Sequence, residues 1–91
     1  KMFGMYGGKE EWVSIECDNS FAGVMIDRFG KDVSMIRLDD KRFVVNVEVA
    51  VSRQFLAWII SLGEGVTLVG PDNVVEMMNI EIDRLIKQYK K

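Results

Sequence analysis

Histidine is absent from the 91 residues, and cysteine and proline occur once each. Without histidine the chain lacks the commonest general base and the commonest metal ligand. A single cysteine, Cys17, allows no internal disulfide, which suits a reducing cytoplasm. No apolar run approaches the ~18 residues that suggest a membrane helix. Neither sign of charge dominates: 12 Lys and Arg stand against 14 Asp and Glu, interspersed, for a net charge of -2. A free-standing nucleic-acid binder would usually show a basic footprint. The chain opens on Lys1 with no charged-then-apolar leader, so the expectation is no signal peptide and a piece of a longer polypeptide. What remains is a sequence 48% hydrophobic, enough for one folded domain. A domain this small buries a modest share of its surface, and a partner would stabilise it.

The stretch from Arg42 to Gly70 organises the rest. Phe43, Val45, Val47, Val49 and Val51 alternate with Arg42, Val44, Asn46, Glu48 and Ala50, the period of a strand with one buried face. Ser52 can then cap a helix. Phe55, Leu56, Trp58, Ile59 and Leu62 fall on one helical arc, and Gly63 supplies a left-handed stop. Val66 to Val69 reads as a short strand. Upstream, residues 1–10 read as a glycine-rich arm or linker, in which Phe3 and Tyr6 could anchor on a neighbour. Glu11 to Cys17 alternates as a first strand, with Trp12, Ser14 and Glu16 outward. Asp18, Asn19 and Ser20, all cap-forming types, lead into a helix from about Asn19 to Phe29, closed by Gly30. Val33 to Leu38 is a second strand, joined through Asp39-Asp40-Lys41 to the long one. Gly70-Pro71-Asp72 opens a last helix with proline at its first position. Val75, Met78, Ile82, Leu85 and Tyr89 form its stripe, expected to pack on the sheet of its own chain.

The order β-α-β-β-α-β with a trailing helix predicts an α+β, ferredoxin-like sandwich over residues 11–91. Right-handed crossovers and one hairpin give a four-stranded antiparallel sheet of order 4-1-3-2. Val13, Ile15, Cys17, Val45, Val47 and Val49 would meet Phe21, Met25, Phe29, Phe55, Ile59 and Leu62. The other sheet face is half polar and must meet water, the last helix or a partner.

The residues that could carry chemistry read as structural. Cys17 falls at an inward position and behaves there as core filler. Asp39-Asp40 and Glu10-Glu11 are adjacent carboxylates, without the opposed geometry that catalysis around a pocket needs. Single-stranded RNA binding on the outer sheet face would rest on Trp12 alone, beside Glu16 and Glu48, which repel phosphate. Acylphosphatase-like chemistry needs an arginine in the first strand-helix loop, and none lies between Glu11 and Asp27. An ACT-like small-molecule regulatory domain is the alternative of a different class, although Asp18-Asn19-Ser20 stands where such domains often carry glycine. No catalytic, cofactor-binding or metal-binding residue is expected. Trp12, Trp58, Ile60 and Tyr89 are the candidate interface residues, since exposed aromatics concentrate at interfaces.

Arg28-Phe29-Gly30, the run from Phe55 through Trp58-Ile59-Ile60-Ser61-Leu62 to Gly63, and Val66 to Pro71 together resemble the C-terminal extension of bacterial WYL-domain transcriptional regulators, often called the WCX domain. The similarity runs from about Trp12 to Tyr89, and Met5-Tyr6-Gly7-Gly8 is similar to the connector after the WYL domain. The resemblance implies a cytoplasmic regulatory and dimerisation domain without enzymatic activity. Its partners would be a second copy and the upstream WYL domain, with DNA reached only through a helix-turn-helix absent from this sequence and no membrane involved.

Overall fold

A computed structural model describes residues 9–90. Most of the arm expected over residues 1–10, with Phe3, Tyr6 and the connector-like Met5-Tyr6-Gly7-Gly8, lies outside the described residues. Strand β1 spans Glu10–Asp18. A 3-10 turn over Asn19–Phe21 leads into α1, Ala22–Phe29. Strands β2 (Ser34–Arg37) and β3 (Arg42–Ala50) follow, then α2 (Arg53–Ser61), β4 (Val66–Gly70) and α3 (Asp72–Tyr89). The sheet has the order β2-β3-β1-β4 with every neighbouring pair antiparallel, the expected ferredoxin-like arrangement.

β1 and β3 pair along their whole length, from Glu10 opposite Ala50 to Asp18 opposite Arg42. Two nine-residue strands in register put Val13, Ile15, Cys17, Phe43 and Val45 on one face. Met25 from α1, Val51 after β3, Phe55, Leu56 and Ile59 from α2, Val66 and Leu68 from β4, and Val74 from α3 complete the buried core. Val47, Val49, Phe21, Phe29 and Leu62 are only partly buried at its margin. The Ser52 hydroxyl accepts from the Phe55 N–H at 3.1 Å, capping α2 as expected. Gly63, with φ of 82°, ends that helix in the left-handed conformation that glycine adopts without penalty. Gly65 answers a different demand: a Cβ there would lie 2.6 Å from the Phe21 ring and 2.9 Å from the Asp18 carboxylate.

Three expectations are corrected. The caps foreseen at Asp18, Asn19 and Ser20 are not formed through their side chains at the 3-10 turn. Asn19 instead donates Nδ2 to the Asp40 carbonyl at 2.9 Å, and its N–H reaches the Lys41 carbonyl at 2.9 Å, so this junction is tied to the β2–β3 turn. Pro71 is the N-cap of α3 rather than its first helical residue, and its carbonyl accepts from Val74 and Val75.

The third correction concerns the face α3 uses. Val74 is fully buried, Met77 and Met78 pack against the core, and Glu81 is buried while Ile82 and Tyr89 face outward. Helical geometry places Val74, Met77, Met78, Glu81 and Leu85 on one side, centred roughly 60° from the apolar stripe the spacing suggested, with Met78 and Leu85 common to both. An ion pair lies on that inward side. Glu81 accepts from Arg53 Nε, at the start of α2, and from Arg84 Nε, each at 3.0 Å, so α3 lies beside α2 on the helical side of the sheet. The opposite sheet face is covered by no described element.

Candidate functional site

The polar side chains gather at the β2–β3 turn, around a hollow of about 430 Å³ lined by Asp18, Asp39, Asp40, Lys41 and Arg42. Their contacts are with one another and with Glu16, Asn19 and Arg37 around them. The Asp39 carboxylate accepts the N–H groups of Lys41 and Arg42 at 2.8 and 2.9 Å and pairs with the Arg42 guanidinium at 3.0 Å. These contacts hold Asp39 below the usual carboxylate range, the Lys41 N–H contributing most. Arg42 also reaches Glu16 at 3.2 Å, and Asp40 pairs with Arg37. This is turn chemistry, and it uses both adjacent aspartates as structural groups. Of the other adjacent pair, Glu11 accepts from Asn73 Nδ2 at 2.8 Å, tying β1 to the start of α3.

Cys17 is buried in the core, where burial first, then the Asp18 and Glu16 carboxylates, pushes its thiol from 9.0 to about 11. A thiolate is the reactive form, so Cys17 should resist Ellman's reagent at pH 8 until the protein unfolds. The unfolded thiol ionises first as pH rises, so its stabilisation is complete below pH 9.0 and declines from there towards about 11. The excess stability of the natural chain over Cys17→Ala should therefore shrink by on the order of 2 kcal/mol between pH 8 and 11. Urea denaturation of both proteins across that range measures it. Among the described residues no cluster of three or more Cys, His, Asp or Glu is placed to hold a metal ion. No helix among them is long and apolar enough to cross a membrane.

Exposed apolar side chains gather on two separate surfaces, while Ile26, Leu38, Ile60 and Ile80 are exposed outside them. The first is the bare sheet face. Trp12, 64% exposed, stands opposite Glu48, and beside them Ser14 Oγ donates to Asn46 Oδ1 at 2.7 Å across the strands. Ile36, Val44 and Val69 add apolar area around that polar centre, and Ile36 and Val69 are exposed. The second lies along α3, where Ile82, Ile86 and Tyr89 are 41%, 51% and 76% exposed.

The four candidate interface residues do not converge. Trp12 belongs to the sheet face and Tyr89 to the end of α3. Ile60 is exposed on α2, along the cleft that Arg53, Leu56, Glu81 and Leu85 also line. Trp58 is half-buried. Its ring stands edge-on to Phe29, with centroids 5.6 Å apart, and lies 6.2 Å from Phe55, while the Arg28 guanidinium sits 4.4 Å over it. Its contacts are those of the core rim. Ile36, Val69 and Ile86 are also exposed but were not among those candidates. The alternation of β2 could have pointed to Ile36; nothing local distinguishes Ile86 from Leu85.

The chain matches the family described as WCX domain over residues 9–86. No curated protein matches it.

Proposed function

This chain belongs to the WCX domain family, and on that premise we propose that it is the regulatory and dimerisation domain of a bacterial WYL-type transcriptional regulator. It is a non-catalytic, cytoplasmic module that joins two copies of the regulator and relays the state of an upstream WYL domain to a helix-turn-helix. The observation that carries the reading is the family match across nearly the whole described domain. The two apolar surfaces support it, because a protein that works by assembly needs side chains left over from its own core. Pairing matters to transcription through geometry: a symmetric dimer presents two DNA-binding heads at a fixed spacing and so reads symmetric half-sites.

Light scattering on this 10.4 kDa chain from about 10 µM to 1 mM tests the assembly half of the proposal. The expected result is a mass that rises with concentration towards that of a dimer. A constant monomer mass would remove dimerisation from the reading. In the whole regulator, deleting the domain should weaken binding to a two-half-site operator far more than binding to one half-site.

A further inference from the structure

The exposed stripe of α3 is complementary to itself when reversed, and we infer that a second copy's α3 packs against it antiparallel, centred on Ile82. The inference rests on the dimerisation reading above and gives it a location. Val75, Ile82, Ile86 and Tyr89 fall within an arc of about 60° on the helix, with Met78 at its edge. Glu81, held against Arg53 and Arg84, turns that arc away from the core.

A two-fold axis at Ile82 sets that residue against its own copy. Met78 then meets the partner's Ile86, and Val75 meets the partner's Tyr89. Every apolar position of the stripe finds an apolar counterpart, as an isologous contact requires. Charge selects the same orientation. Asp72 at the start of α3 and Lys90 just past its end both flank the stripe, about 70° from its centre. Antiparallel pairing brings Asp72 near the partner's lysine, whereas parallel pairing would set like against like. One helix pair is smaller than the ~800 Å² per partner of a standard interface, so it is weak in the isolated domain. Other dimer contacts in the regulator would raise its effective concentration.

Cysteine cross-linking locates the pair, since Cys17 is buried and stays out of the reaction. Under mild oxidation Ile82→Cys should form a disulfide-linked dimer at least tenfold faster than Ile80→Cys, which is exposed on nearly the opposite side of the helix. A mixture of Val75→Cys and Tyr89→Cys should give the mixed dimer in preference to either homodimer. Ile82→Asp, at an exposed site, should leave the melting temperature unchanged and weaken self-association at least tenfold. Equal rates for Ile82→Cys and Ile80→Cys overturn the inference, and a faster Val75→Cys homodimer overturns the antiparallel orientation. If the natural chain dimerises by light scattering without this cross-linking pattern, α3 is not the interface and the dimerisation reading stands. If it remains monomeric to 1 mM, both fall.

Discussion

Leu56→Ala is expected to destabilise the domain by about 2–5 kcal/mol, the range for truncating a fully buried leucine. Leu56 has no exposed surface and lies on α2 between Phe55 and Ile59, which both face the core. Truncation removes transfer free energy and leaves a hole that a helix fixed at both ends fills poorly. The Ser52 cap holds one end and Gly63 the other. A domain of this size has roughly 5–15 kcal/mol in total. At about 4–8 °C per kcal/mol, the melting temperature should fall by about 8–40 °C. Gln54→Ala, on the exposed side of the same helix, should change stability by no more than about 0.5 kcal/mol. Thermal and urea denaturation of the two variants measure the contrast, and equal effects would mean that α2 does not pack as described.

The fold was legible because its strongest signals are local and redundant. The alternation from Phe43 to Val51 fixes which face of β3 is buried, and a strand with that face buried cannot slip by one residue without exposing it. Ser52 and Gly63 bound α2 through hydrogen bonding and backbone geometry that depend on no distant partner. The hairpin at Asp39-Asp40-Lys41 then forces β2 beside β3, and the sheet order follows. Asn19 was not legible in the same way. Its side chain satisfies the Asp40 carbonyl across the fold, an alternative to capping that only the tertiary arrangement supplies.

The exposed apolar surfaces were less legible than the fold, for a physical reason visible at Trp58 and on α3. A tryptophan at the edge of a helical arc reads the same whether it meets solvent or a ring from a distant part of the chain, as Trp58 meets Phe29. Here Phe29, Phe55 and Arg28 take up its faces. On α3, counting apolar residues finds the wrong side. The inward face contains a carboxylate, and periodicity scores a carboxylate as outward. Partners such as Arg53 and Arg84 let Glu81 face inward, and Arg53 is 28 positions away.

Glu81 is 3% exposed, and variants at this site should be sharply unequal. Replacing Arg53 and Arg84 together by alanine leaves the carboxylate buried without the two guanidinium groups that face it at 3.0 Å. Removing the partners of a buried charge costs about 3–5 kcal/mol, and that is the expected loss. Glu81→Leu should be far milder, within about 1 kcal/mol of the natural protein, because both arginines are half-exposed and water takes over their solvation. If the ion pair adds little net stability, its use is orientation. With leucine at position 81 the inward side and the Ile82–Tyr89 stripe merge into one broad apolar surface, and little dictates which part faces the core. Glu81→Leu should therefore keep its melting temperature while losing most of the preference of Ile82→Cys over Ile80→Cys in cross-linking. Urea denaturation and cross-linking rates on the same variants separate the two effects. A Glu81→Leu protein as unstable as the double arginine variant would make the carboxylate a source of stability rather than the group that sets the rotation of α3.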